Sequence, residues 1–190
     1  MLAGRAFELF GSGLGANPIE AMMDHLGQWG LRFLLLTLGI TPLAVTLRKP
    51  WLMKIRRMIG LFAFTYLSLH FLTWLVLDKW LEPAAIVEDI AERPFITVGF
   101  AALLLLLPLA VTSTNGWIRR LGRRWHSLHR LVYPATVLAC IHFWWQVKAD
   151  LTEPLIYSAI LAALLGWRLW RAKKFRGLFS SLRVPAQPTK

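Results

Sequence analysis

The sequence predicts an all-α fold, a polytopic transmembrane bundle of about five spans with its N-terminus outside and its C-terminus in the cytoplasm. Three observations predict it. The 190-residue chain is 56% hydrophobic with ten tryptophans and a mean hydropathy of +0.51, too apolar for an ordinary soluble domain. Apolar segments near the ~20 residues needed to cross about 30 Å of hydrocarbon recur along it. Finally, its charges sort by sign between alternate loops.

The spans fall at roughly residues 29–47, 58–77, 94–114, 129–147 and 154–170. Between them, "RKPWLMKIRR" (48–57) and "NGWIRRLGRRWHSLHR" (115–130) each hold five Lys/Arg and no acid, and the tail from Arg168 to Lys190 holds seven. The alternate segments, 1–28, 78–94 and 148–154, contain all ten carboxylates. Loops rich in Lys/Arg stay in the cytoplasm, which sets the orientation. The chain then divides into an outer N-terminal segment (1–28) with room for a truncated first helix, a membrane domain (29–171) and a basic cytoplasmic tail (172–190). Trp80, Trp144 and Trp145 fall at the outer interface, where amphipathic rings settle.

Several function classes drop out. A net charge of +12 would suit nucleic acid only on a soluble face, and here the basic residues alternate with membrane-length segments. The single cysteine, Cys140, cannot form an internal disulfide, and no zinc-ligand spacing is present. "GSGLGANP" (11–18) lacks the preceding strand that a nucleotide-binding glycine loop needs, so it reads as a turn. No internal repeat, low-complexity tract or appended soluble domain is evident.

The histidines carry the functional signal. At 1.5 Å rise per residue, His70 lies roughly 20 Å from Arg57 at one end of its helix and roughly 12 Å from Asp78 at the other, while His142 lies roughly 18 Å from Arg130 and roughly 9 Å from Lys148. Two imidazoles thus reach one level in the outer half of the membrane from different helices. A six-coordinate haem iron takes one nitrogen on each side of its macrocycle, and Ala63, Ala135 and Ala139 would leave a slot for it. Intramembrane histidines can instead bond across helices, line a proton path or face a water cavity. Small residues also serve close packing.

His126 reads as a solvated interfacial residue among arginines. His129 precedes His142 by thirteen residues, roughly 20 Å along the axis but roughly 140° around it. Sharing a face would need an irregularity, for which Pro134 is a cause. Arg56, Arg57, Arg123 and Arg124 are candidates to bind haem propionates or a flavin phosphate. They serve equally as topology determinants.

The stretches "GLGANPIE" (13–20), "ITPLA" (40–44), "RRMIGLFAFTYLSLH" (56–70), "RPFITVG" (93–99), "LAVTSTNGWIRRLGRRWHSLHRLVY" (109–133) and "IHFWW" (141–145), in this order over residues 13–176, closely resemble the MsrQ (YedZ) family of the ferric reductase-like transmembrane superfamily. The resemblance implies a haem-binding subunit of a methionine sulfoxide reductase system in the bacterial inner membrane. It implies b-type haem, one or two, with histidines that correspond to His70, His129 and His142, and not to His126. It also implies FMN, for which the residues show no separate signature. Electrons would come from membrane quinol and go to the periplasmic molybdopterin reductase MsrP. Family members typically have six spans, and the first is absent or truncated here.

With no Rossmann segment and no nucleophile or carboxylate constellation, the chain reads as an electron-transfer subunit of an oxidoreductase complex rather than a self-sufficient enzyme. Two other readings stay open: a self-contained ferric or quinone reductase-like cytochrome b, and a non-redox membrane scaffold or transporter with a polar interior.

Overall fold

The computed structural model describes residues 17–147 and 150–181, with side chains described as far as Lys173. The glycine-rich stretch up to residue 16, Lys148 and the tail beyond 181 lie outside the described residues. The rest is helical, with no strand among the described residues.

Helix α1 runs Pro18–Thr46. Its start is set by polar chemistry: the Asn17 side chain accepts the Glu20 backbone N–H at 3.3 Å and donates to the Glu20 carboxylate at 3.1 Å, a reciprocal cap ahead of a proline in the first turn. Hydropathy sees only the apolar part of this helix, so the span expected from residue 29 begins eleven residues earlier. Then come α2 (Leu52–Leu72), a π-helical turn (Thr73–Asp78), α3 (Pro83–Glu92) and α4 (Pro94–Val111). Two short helices, α5 (Asn115–Leu121) and α6 (Arg123–Leu128), join at Gly122, whose φ of 50° suits glycine. A 3-10 turn (His129–Leu131) leads into α7 (Val132–Gln146), and α8 (Thr152–Ser181) closes the chain.

Among the described residues four helices are long and apolar enough to cross a membrane: Pro18–Thr46, Leu52–Asp78, Pro94–Val111 and Thr152–Lys173. The fifth expected span is shorter as an α-helix, 15 residues. With the 3-10 turn before it, it extends roughly 28 Å. That turn has a cause: Pro134 has no N–H to offer the Arg130 carbonyl, so the helix entry tightens. Three steps at 3-10 pitch bring His129 from roughly 140° to roughly 80° of His142 around the axis.

An internal repeat, not expected from the sequence, organises the bundle. The closest-packed pairs are α1 with α2 and α4 with α7. An offset of 72 positions carries Gly27 onto Gly99, Leu34 onto Leu106, Ala63 onto Ala135 and His70-Phe71 onto His142-Phe143. The pentapeptide "PLAVT" closes α1 (42–46) and recurs over the end and C-cap of α4 (108–112). Its own offset is 66, so no single alignment collects all the matches.

The two pairs meet in a core of Leu34, Ala63, Leu106, Leu109 and Ala135. Ala63 and Ala135 are wholly buried there, so these two alanines let helices approach rather than leaving the slot expected from them. A second cluster ties α1 and α7 to α8 through Leu31, Leu35, Leu38, Cys140 and Leu161. Outward faces carry Leu36, Leu104, Leu107, Leu155 and Ile160, as surfaces solvated by lipid do.

Beyond the π turn, the acidic side is closed by one charged knot. Asp89 of α3 is buried and accepts from Trp74 Nε1 at 3.0 Å. It pairs with Lys79 at 3.0 Å and Arg93 at 3.2 Å. Burial alone would raise its carboxyl pKa, but the bonds from Trp74 and Lys79 and the Arg93 charge together hold it below its ordinary value. Burial likewise works against the Lys79 ammonium, yet its bonds to Asp89 and Asp78 raise it on balance.

Candidate functional site

His70, on the last turn of α2, and His142, one turn before the end of α7, face each other across the bundle. Their ring centres lie 6.1 Å apart with planes at 80°. Each ring is held by a third helix in the same way. The His70 Nδ1–H donates to the Met23 carbonyl of α1 at 2.8 Å, and the His142 Nδ1–H to the Phe95 carbonyl of α4 at 2.7 Å. Both bonds span 47 residues, as the repeat requires. A carbonyl can only accept, so the proton is placed on Nδ1 and the lone pair on Nε2. Both rings therefore present a ligating nitrogen.

The spacing fits a metal ion between them. Two in-line nitrogen–metal bonds of ~2 Å, with ~1 Å from each nitrogen to its ring centre, put imidazole centres ~6 Å apart. Among the described residues no group of three or more His, Cys, Asp or Glu gathers to hold a bare ion. Two imidazoles alone suit an ion that brings its other ligands with it, as iron in a macrocycle does.

A second locus lies toward the basic side, around a cavity of about 680 Å³. Lys54, Arg56, Arg57, Arg130 and Arg168 line it, and among the described residues no carboxylate does. Arg56 donates to Thr41 Oγ1 at 3.0 Å, Arg57 to Asn115 Oδ1 at 2.6 Å and Arg168 to the Leu38 carbonyl at 2.7 Å. His129 lines it too, and its Nδ1–H donates to the Trp125 carbonyl at 3.1 Å. Its Nε2 is buried with no hydrogen-bond partner among the described residues. Leu34, Leu106 and Leu109 form the wall toward the core. The arrangement can hold an anionic or strongly electronegative group against an apolar roof.

Comparison with known proteins places the chain in one lineage. The family model for the ferric reductase like transmembrane component matches residues 26–140. A protein of Xanthomonas oryzae pv. oryzae is 49% identical over 176 residues, covering 93% of this chain and 81% of the relative. Proteins of Ralstonia nicotianae (54% over 159 residues, 82% and 73% covered) and Bordetella pertussis (52% over 166 residues, 85% and 81% covered) are similar. Each is named the heme-binding subunit MsrQ of protein-methionine-sulfoxide reductase. The chain belongs to the MsrQ family. No solved structure matches it.

In this MsrQ-family chain the structure brings His70 and His142 together and sets His129 apart with Arg56 and Arg57. Arg123 and Arg124 are exposed on α6 and are not among the cavity-lining residues. His126 lines the cavity from an exposed position, with its ring edge-on to Trp125 at 5.2 Å. Sequence reasoning missed Lys54, Arg130 and Arg168 as cavity cations. It also missed the Met23 and Phe95 carbonyls. The equal offset of the two histidines from Gly27 and Gly99 was the available signal for those.

Proposed function

We propose that the chain is a haem b membrane subunit that carries electrons from the quinone pool to the periplasmic molybdopterin reductase MsrP, for repair of methionine sulfoxide in proteins. The His70–His142 pair at 6.1 Å, with both Nδ1 atoms committed to carbonyls, is the observation that carries it. Haem held there supplies one-electron exchange at its iron. His70 and His142 bind, and the Met23 and Phe95 carbonyls fix the tautomer and strengthen Nε2 as a donor. The names of the MsrQ relatives support haem as the ligand.

Electrons enter on the basic, cytoplasmic side in this reading, and the cationic cavity is their place of entry. Arg56, Arg57 and His129 hold a quinol head group there, or the phosphate of FMN, or the propionates of a second haem. Ala63 and Ala135, packed in the core with the cavity-lining Leu34, Leu106 and Leu109, precede His70 and His142 by seven residues, roughly 10 Å along their helices, so the two loci are stacked across the membrane. Electrons leave on the acidic side toward MsrP in the periplasm. Arg123 and Arg124 act in orientation, with Arg119 and Arg120.

Detergent-purified protein tests the reading by its visible spectrum. Sharp reduced α and Soret bands, lost in both His70→Ala and His142→Ala while the protein still inserts, are expected. A colourless wild-type protein of full helicity would instead establish a non-redox bundle.

A further inference from the structure

Glycine inside a helix costs stability relative to alanine, and two of the helical glycines in this bundle sit directly under the paired histidines. A Cβ added at Gly99 would meet His142 Nδ1 at 2.7 Å, Cε1 at 2.9 Å and Cγ at 3.1 Å. One added at Gly27 would meet His70 Nδ1 at 3.1 Å, Cε1 at 3.2 Å and Cγ at 3.7 Å. At both positions all three nearest atoms belong to the imidazole. Gly30 differs: there the close atoms are Leu67 Cδ2 and Cγ, both at 2.6 Å, which is helix packing.

The positions follow from helix geometry. A helical side chain covers the turn N-terminal to its own Cα, so the residue at i+4 lies over the carbonyl of residue i. Met23 precedes Gly27 by four, and Phe95 precedes Gly99 by four. Each carbonyl has two lone pairs, one facing the helix N–H and one free for an incoming donor. Only a residue without a Cβ at i+4 leaves the second lone pair open to a ring lying flat on the helix.

We propose that Gly27 and Gly99 are positioning residues for the metal-ligating imidazoles: each glycine, with the carbonyl four residues before it, forms a seat that sets the tautomer and orientation of one histidine. This rests on the haem-binding reading above. The internal repeat makes the two seats equivalent in design, and the steric distances make them unequal in tolerance. A methyl at Gly99 must displace the His142 ring, which loosens its bond to Phe95. A methyl at Gly27 requires a shift of a few tenths of an ångström.

Gly99→Ala, Gly27→Ala, Gly39→Ala and Gly30→Ala, made in the full chain, test this against wild type and His70→Ala. Gly39 is the neutral control, since its Cβ would meet nothing nearer than Leu164 Cδ2 at 3.9 Å; Gly30 is the packing control. The readouts are haem titration, the low-temperature electron paramagnetic resonance spectrum, which reports axial-ligand orientation, and thermal unfolding by circular dichroism. Gly99→Ala is expected to weaken haem binding about 10- to 100-fold, the range for lost support of a metal ligand, and to change the resonance pattern. Gly27→Ala is expected to do so less, and Gly39→Ala not at all. Gly30→Ala is expected to lower the unfolding temperature with a wild-type resonance pattern. Should Gly99→Ala fail to fold, the altered pattern of the milder Gly27→Ala against Gly39→Ala carries the test. Wild-type affinity and resonance in both seat variants overturns the proposal, as does an equal change in Gly30→Ala, which would make the effect one of packing. Haem lost in His70→Ala but untouched in the seat variants defeats the seats alone, whereas no haem in wild type defeats the proposed function and the seats with it.

Discussion

Trp125 lies nearly flat on His129, ring centres 3.8 Å apart and planes at 26°, while its own Nε1–H donates to the Thr112 carbonyl at 3.0 Å. The stack holds the His129 ring at the cavity, where its Nε2 is buried, whereas His126, three residues earlier, reaches the cavity rim from an exposed position and meets the same indole edge-on. His129→Ala is therefore expected to change the cofactor spectrum or the rate of reduction by quinol, and His126→Ala to leave both unchanged. Iron-to-protein ratios, spectra and quinol kinetics of the two variants check this. Equal loss in both, or loss only in His126→Ala, would show that the wrong histidine has been assigned.

The arginines should separate in the same way. Arg56 and Arg57 line the cavity, and Arg123 and Arg124 do not. Losing one charge-assisted hydrogen bond to a ligand costs about 1.5–3 kcal/mol, roughly 10- to 100-fold in affinity. Arg56→Gln and Arg57→Gln are expected to weaken binding of a soluble quinone analogue by that order. Arg123→Gln with Arg124→Gln should leave it within about twofold. Titration of the analogue against detergent-purified protein measures both.

On the acidic side, the Asp89 knot makes stability depend on pH in two directions. The Asp89 carboxyl is held below its ordinary value, so its contribution is present above the unfolded carboxyl value, about pH 4, and is lost as pH falls through the lowered one. The Lys79 ammonium is raised, so its contribution is complete below about pH 10.4 and fades as pH rises through the raised value. Between those limits, Asp89→Asn is expected to cost about 1–3 kcal/mol and to flatten the acid limb of a melting-temperature profile. An acid limb as steep as wild type would place its origin in other carboxylates.

Topology reporters fused at Lys190 and at Ala85 are expected to read cytoplasm and periplasm respectively, from the segregation of charge between the two sides. The opposite result would reverse the direction of electron flow inferred above.

Much of the site was legible in the sequence. Helix periodicity and rise placed His70 and His142 at one depth, and the structure joins them. Pro134 was read as the source of an irregularity, and the 3-10 turn stands three residues before it. Of the three alanines expected to leave a slot, Ala63 and Ala135 are instead wholly buried in the core where the two pairs meet. Depth is a local quantity that counting along one helix supplies, whereas whether a small residue makes room or removes it depends on what the neighbouring helix places opposite.

The sequence by itself determined the all-α membrane architecture, the segregation of charge and the levels of the histidines, because hydropathy, loop charge and axial rise are properties of each segment alone. Only the tertiary structure decided which nitrogen of each imidazole is free, which glycines lie beneath the rings, and that Lys54, Arg130 and Arg168 join Arg56 and Arg57 around one cavity. Those facts depend on the rotation of each helix about its own axis. That rotation is set where α1 meets α2 and α4 meets α7, through contacts such as the Leu67 side chain over Gly30 and Ala63 and Ala135 in their shared core, contacts between residues far apart in the chain.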